Sequence, residues 1–535
     1  MSKYDVIIIG AGAAGSAVAW RLSNLDLRVV CLEQGDYKSS DEFPSENIAW
    51  EEKKYSTHHV SPNVRRLESD YPINDSESVI AVANYNAVGG STFLYSGHFP
   101  RFHPSDFRVH SLDNVALDWP LSYSELEPYF ELNDQIMGIS GLEGDPAYPP
   151  IKNLLPPVPL GKLGERIAEG FNQLGWHWWP AYSAILTQID DHNFKDRTTC
   201  RNIGPCNTGC PIGAKSSVDV AYWPKAIANG VELKTKCRVS RIFLKKDGFA
   251  GGVCFFDESN QSQQMEASIV VLACNGIGTP RILLNSSCEQ YPNGLANSSD
   301  LVGRHLMFHP YGWVEGVFEE DLESHLGPQG CCLLSQEFYE TDLKRGFVRG
   351  YTMQLLRGAG PLETAISGVN RRLISWGPDF HRSFRRRFGK VANLAIIVED
   401  LPDFENRVTL DDHLCDQHGI PAPKVRYQLG DNSRKMMAHG LRHGKILMKT
   451  CGALSTSAFG PVRHTGWHLM GTARMGNDPK DSVVNRFGQS HDIPNLFIAD
   501  SSVFVTSGGV NPMSTLQAVS LWIADGIRQE LGDLL

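Results

Sequence analysis

No stretch of this chain stays apolar long enough to cross a bilayer. The longest runs, such as Ile269-Val270-Val271-Leu272-Ala273, fall far short of the roughly 20 residues a spanning helix needs, so no membrane span is expected. Positive charge is in deficit: 50 Lys and Arg stand against 60 Asp and Glu, a net charge of −10. No nucleic-acid partner is therefore expected, and the local basic cluster Arg385-Arg386-Arg387 reads as a solvated face. Cysteine is too sparse for a disulfide scaffold, with 12 in 535 residues. Met1-Ser2-Lys3-Tyr4 leads at once into a strand, leaving no room for a signal peptide. The expectation is a cytoplasmic protein with reduced thiols. Internal repeats and low-complexity tracts are missing too. What remains is a chain long enough to bury more than one domain.

Against these absences stands a glycine-rich opening. Asp5-Val6-Ile7-Ile8-Ile9 is a β-branched run suited to a strand buried on both faces. Gly10-Ala11-Gly12-Ala13-Ala14-Gly15 follows, then a helix over Ser16 to Ser23. A second strand, Arg28-Val29-Val30-Cys31-Leu32, ends on Glu33. Gly10 permits a tight turn, Gly12 lets backbone amides approach a pyrophosphate, and Gly15 lets helix and strand pack closely. The helix N-terminus supplies positive potential for phosphates, and Glu33 is placed to accept hydrogen bonds from an adenosine ribose. The pattern predicts dinucleotide binding; alone, it does not separate FAD from NAD.

Residues 36–80 are polar and aperiodic, as in a surface excursion or lid. Asn86-Ala87-Val88-Gly89-Gly90-Ser91-Thr92 is a second glycine-rich loop, either an ordinary turn or backbone passing beside a flat ring. Trp119-Pro120 to Gly138 reads as a helix. Strands are predicted over 231–244, 252–256 and 268–273, then a helix from about Thr279-Pro280, a unit that should return to the nucleotide sheet. Residues 305–455 instead alternate strand-like stretches (312–318, 348–356 and 391–398) with polar loops. A strand over Asn495 to Ala499 closes on Asp500. Pro512 opens a last helix, its buried stripe marked by Leu516, Val519, Ile523, Ile527 and Leu531. Between them lie His468, in Gly466-Trp467-His468-Leu469-Met470-Gly471-Thr472, and Asn511, in Gly509-Val510-Asn511-Pro512. Taken locally, His468 is a core histidine and Asn511 a helix N-cap. In a chain that binds a dinucleotide, both become candidates for chemistry.

Together, Asp5 to Gly15 with Glu33, Val88 to Thr92, Trp119 to Tyr123, Gly278 to Arg281, Asn406 to Leu410, His468 to Gly476 and Asn495 to Gln517 resemble the glucose–methanol–choline (GMC) family of flavin oxidoreductases. The resemblance spans essentially the full length. It implies an α/β fold: a Rossmann-like FAD-binding domain interleaved with a substrate domain built on a mainly antiparallel sheet. The expected division is an FAD-binding domain over 1–300, with insertions at about 36–80 and 120–215, a substrate-binding domain over 301–455, and a return to the FAD domain over 456–535. By position, His468 is implied as the base for a hydroxyl proton and Asn511 as the second active-site group, with hydride passing to flavin N5. A histidine suits the base because its ordinary pKa of about 6.5 lies near working pH. Gly10, Gly12, Ala14, Gly15 and Glu33 are expected to hold FAD, with Gly89, Gly90, Ser91, Asp500, Pro512 and Met513. Two positions depart from the family. Asn275 stands where a glycine is usual. Leu94 stands where some members carry a histidine bonded to the flavin, so non-covalent FAD is expected.

Cys200, Cys206 and Cys210, spaced by glycines and followed by Pro211, resemble iron–sulfur ligand loops, where thiolates converge from flexible backbone. With Ile212-Gly213-Ala214-Lys215, this passage is similar to a branch of sugar and polyol dehydrogenases that pass electrons through a [3Fe–4S] cluster. Three structural thiols are the other reading. Zinc needs a fourth ligand, for which only Cys237 and His192 offer themselves, remotely. Relatives with a cluster can leave the cytoplasm with a small partner subunit, which makes a periplasmic location the alternative. The expected function is FAD-dependent oxidation of a hydroxyl on a sugar, glycoside or polyol, with electrons passed to a non-oxygen acceptor. An oxidase producing hydrogen peroxide is the alternative, and a hydroxynitrile-lyase type of reaction is third. Trp176, Trp178 and Trp179 are candidate sugar-stacking residues, though aromatics are more often core.

Overall fold

The buried run Tyr4–Ile9 lies at the middle of a seven-stranded sheet, paired in parallel with Val29–Leu32 on one side and Ser262–Leu272 on the other. Glu232–Lys234 extends the first side, and Leu496–Ile498 runs parallel to the end of Ser262–Leu272. The first half of that long strand pairs antiparallel with Ala250–Phe256, which in turn pairs with Arg238–Leu244. A Rossmann-like core is thus assembled from both ends of the chain. The computed structural model describes residues 4–47, 50–189, 194, 196–330 and 332–534.

Two helices begin earlier than the sequence suggests. Ala13–Leu22 starts directly after Gly12, not at Ser16, and packs against the last helix, Met513–Leu534. Asn275–Asn285 starts at Asn275, not at Pro280. Asn275 takes a left-handed φ of +64°, which asparagine tolerates better than most residues. Its Oδ1 accepts the N–H groups of Ile277 (2.9 Å) and Gly278 (3.3 Å). Asparagine therefore replaces the family glycine by tolerating the turn and capping the helix. Pro280 inside this helix removes the bond to the Gly276 carbonyl. That carbonyl instead accepts the Thr472 hydroxyl at 2.8 Å, tying the helix to the His468 segment.

The second sheet is antiparallel throughout, in the order Ser455–Phe459, Tyr311–Val317, Val391–Val398, Tyr351–Leu356, Leu333–Ser335, Trp179–Pro180. It draws Trp179–Pro180 from the stretch 120–215, expected to insert into the first domain. Across its other face lies Asp431–Thr450, a 20-residue helix absent from the sequence reading. Its apolar stripe hides because Gly440 and Gly444 occupy part of it. A Cβ on Gly440 would stand 2.5 Å from Ile396 Cγ2, and one on Gly444 2.8 Å from Val314 Cγ2. Close contact here needs small residues, which blunts the hydrophobic periodicity. A three-stranded sheet of Arg407–Cys415, Pro421–Tyr427 and Asn74–Ser78 completes the architecture. Among the described residues no helix is long and apolar enough to cross a membrane.

Candidate active site

A cavity of about 610 Å³ runs from the Gly10–Gly15 turn to the antiparallel sheet. At the nucleotide end Gly10 has φ +100°, and a Cβ there would stand 2.6 Å from the Ala273 carbonyl oxygen. A Cβ on Gly15 would lie 1.9 Å from Gly10 O, so helix and turn meet only through glycine. Gly12 differs: its Cβ would find its nearest neighbour, Gly90 Cα, at 4.0 Å. The room beside its backbone is that of a cradle for a pyrophosphate. Ala11 O accepts both Gly89 N–H (3.0 Å) and Trp223 Nε1–H (2.9 Å), pinning the second glycine loop across the first.

Gly10, Gly12, Ala14, Glu33, Gly90 and Ser91 all line this cavity, and Asp500, Pro512 and Met513 close it from the C-terminal segment. Gly15 and Gly89 sit behind the wall and shape it. Glu33 accepts Ala11 N–H on one oxygen and Gly35 N–H on the other, both at 2.8 Å. Each oxygen keeps a second lone pair for a ribose hydroxyl. Asp500 accepts the Thr279 hydroxyl and Ser502 N–H. Asn84, which lines the same cavity, has two buried amide atoms without partners among the described residues, chemistry that the polar edges of a dinucleotide satisfy. These residues fit FAD.

At the other end, alternation along Tyr311–Val317 puts Tyr311 and Trp313 in the cavity wall while Gly312 and Val314 face the helix Asp431–Thr450. Gln354 joins them from Tyr351–Leu356, two strands away in the same sheet, and its Nε2 donates to Asn511 Oδ1. That leaves the Asn511 amino group as the donor facing the cavity.

His468 lines the cavity and contacts a histidine the sequence reading missed. His309 Nδ1 lies 2.8 Å from His468 Nδ1, and His309 Nε2 lies 2.8 Å from Gly508 O and 3.1 Å from Ser507 O. Carbonyls only accept, so His309 Nε2 carries the proton. Burial pushes the His309 pKa down to about 4, so the ring is neutral and its Nδ1 is an acceptor. His468 Nδ1 must then be the donor. Burial, with His309 and His98 nearby, also holds His468 well below the ordinary histidine value. A neutral ring has one N–H, so His468 Nε2 presents a lone pair. The only hint of His309 in the sequence is a histidine between Phe308 and Pro310 at the start of a buried strand.

The Ser507–Asn511 loop is held from behind as well. Gly509 N–H donates to Tyr339 Oη at 3.0 Å, and Tyr339 Oη donates to Asp106 at 2.6 Å. Arg349, 1% exposed, pairs with Asp106, Glu399 and Asp113.

Other candidates lie elsewhere. Trp176 packs on Phe338 and His443, Trp178 bonds Asn172, and Trp179 bonds Leu142 O; none of the three lines the cavity. Cys200, Cys206 and Cys210 line a separate cavity of about 30 Å³. Lys215 Nζ ties this loop to the glycine-loop region, donating to Phe93 O (2.6 Å), Cys206 O (2.7 Å) and Tyr95 O (2.9 Å). Burial raises the Cys200 thiol and pushes Cys206 up to about 12. Among the described residues no three His, Cys, Asp or Glu side chains converge closely enough to hold a metal ion. Burial thus disfavours the thiolate form at Cys200 and Cys206. Cys237 borders the FAD cavity, away from the loop, and His192 lies outside the described residues.

Comparison with known proteins gives a consistent result. Two family models described as GMC oxidoreductase match residues 185–311 and 402–520, and an NAD(P)-binding Rossmann-like domain matches 8–66. 2-Methyl-1,2-propanediol dehydrogenase of Mycolicibacterium austroafricanum is 39% identical over 541 residues, covering 100% of this chain and 96% of that protein. Fructose dehydrogenase large subunit of Gluconobacter japonicus is 29% identical, covering 98% of each. Pyridoxine 4-oxidase from Mesorbium loti has a similar fold, with TM-score 0.66, 18% identity and coverage of 98% of this chain and 99% of that one.

Proposed function

From the premise that this chain belongs to the GMC oxidoreductase family, as an FAD-dependent oxidoreductase acting on CH–OH groups, we propose that it is a dehydrogenase of a polyol, sugar or glycoside. It oxidises one hydroxyl to a carbonyl and passes the electrons to an acceptor other than oxygen. The observation that carries this reading is the tautomer chain from the Ser507 and Gly508 carbonyls through His309 to His468. It leaves an unprotonated nitrogen in the cavity that holds the nucleotide loops.

Bound FAD supplies the hydride acceptor. His468 Nε2 accepts the hydroxyl proton as the substrate C–H bond breaks. The Asn511 amino group donates to the substrate oxygen and fixes it beside His468, while Gln354 holds the amide in that orientation. Tyr311 and Trp313 exclude water from that end.

The low His468 pKa has a kinetic consequence. The base is neutral in the free enzyme at and below the ordinary histidine value, so kcat/KM should stay flat as pH falls through about 6.5. The acid limb should lie below that value; a limb centred at or above it would contradict the buried neutral base.

An anaerobic screen of polyols, sugars, glycosides and simple alcohols for flavin bleaching tests the reaction, and no bleaching by any of them would remove it. Both curated relatives described above are named dehydrogenases, which supports the choice of acceptor. Peroxide formed in step with substrate consumption under air would make the enzyme an oxidase instead. Leu94 offers no nucleophile for attachment, so acid precipitation should release FAD into the supernatant; flavin retained in the pellet would contradict this.

The finer proposal for the cysteine loop is a [3Fe–4S] cluster on Cys200, Cys206 and Cys210 that serves an external acceptor, with a small partner subunit. Its support is the loop sequence, not the packing, and no step above runs through it. Iron and acid-labile sulfide in anaerobically purified protein would establish it, and clusterless protein from an iron-replete preparation would remove it.

A further inference from the structure

We infer that His98 binds a second substrate hydroxyl, so that the substrate is a vicinal diol or polyol and not a simple alcohol. The inference rests on the alcohol oxidation proposed above and assigns a role to a residue that reaction does not use.

His98 follows Gly97, whose φ is +92°, at the foot of the second glycine loop. It is only 5% exposed and lines the catalytic cavity. Neither ring nitrogen has a hydrogen-bond partner among the described residues. Burying two polar atoms unpaired costs free energy, so such a ring persists where a ligand completes it.

The chemistry of that ligand can be narrowed. Burial pushes the His98 pKa down to about 4. The ring is therefore neutral, with one N–H donor and one lone pair. A carboxylate would satisfy only the donor, and an ammonium only the acceptor. A hydroxyl both gives and takes a hydrogen bond, and it matches either tautomer.

The position narrows it further. The Gly330 segment beside His98 leads into Leu333–Ser335, whose Leu334 pairs with Gln354, the residue bonded to Asn511. His98 thus stands on the Asn511 side of the cavity. Gly330 lies against His98: a Cβ there would stand 3.1 Å from His98 Nε2 and 2.2 Å from Ser96 Oγ. Glycine keeps a side chain off the ring. With the reacting hydroxyl at His468, a second hydroxyl of the same substrate, nearest on the neighbouring carbon, is the group we assign to His98.

The test uses purified holoenzyme and anaerobic flavin reduction. The best substrate from the bleaching screen is compared with its analogue lacking the neighbouring hydroxyl, and propane-1,2-diol with propan-1-ol as the simplest pair. The parent should favour the diol member. His98→Ala should lower kcat/KM for the diol roughly 10- to 100-fold and leave the analogue within about threefold. His98→Gln, which retains a donor and an acceptor, should restore part of the preference.

A best substrate with no neighbouring hydroxyl would overturn the inference. So would an equal loss on both members of a pair, or no loss on either. Flavin lost from both variants would mean that His98 serves the cofactor, and would overturn it as well. In each case the alcohol oxidation itself stands; bleaching by no alcohol at all would remove both.

Discussion

Replacing His468 with alanine should leave FAD bound and slow its anaerobic reduction by substrate roughly 10²- to 10⁴-fold. The magnitude follows from removing a positioned general base while leaving the hydride acceptor and Asn511 in place. FAD retention is expected because the cradle is built by Gly10 to Gly15, Glu33 and Asp500, on other segments of the chain. Stopped-flow bleaching separates the step from later electron transfer. Reduction as fast as in the parent would sink the assignment of His468 as base. So would a variant whose entire defect is lost flavin.

Arg349→Ala should cost about 3–5 kcal/mol of stability, because breaking a buried ion pair strands the remaining charges. One guanidinium faces Asp106, Glu399 and Asp113 in an enclosed site. Burial already pushes Glu399 up to about 8, with the nearby Asp106 charge adding to it. A carboxyl raised in the folded state binds more protons folded than unfolded. Stability therefore falls as pH rises from the ordinary glutamate value towards about 8. Without Arg349 the carboxyls rise further, so the variant should lose more stability than the parent between pH 5 and 8. Urea unfolding at the two pH values measures this. A cost below about 1 kcal/mol, or one equal at both, would show that the cluster is solvated rather than buried. The same variant should loosen Tyr339 and, through Gly509, the loop that carries Asn511.

Legibility in the sequence followed the strength of local constraint. Gly10 and Gly15 stand out because each meets a backbone contact that forbids a side chain, and such contacts impose one residue type. His468 and Asn511 stand out through the motifs around them, and both line the same cavity. His309 and His98 do not stand out: a single buried histidine owes its role to residues more than a hundred positions away, as in the His309–His468 pair. The helix Asp431–Thr450 escaped for the opposite reason, since close packing replaced its large apolar residues with Gly440 and Gly444. Strands such as Trp179–Pro180 and Ser455–Phe459 are short edge pieces whose pairing, not composition, defines them.

The sheet around Tyr4–Ile9 also sets a timetable for biosynthesis. Its neighbour Ser262–Leu272 emerges from the ribosome long after it, and Leu496–Ile498 later still. At about 5–20 residues per second, the last of these strands arrives on the order of 25–100 s after the first. Until then the apolar stretch Val270–Leu272 has an open edge, the kind of surface that pairs with other chains. A chain stopped short of residue 496 would be a client for chaperones rather than a smaller flavoprotein.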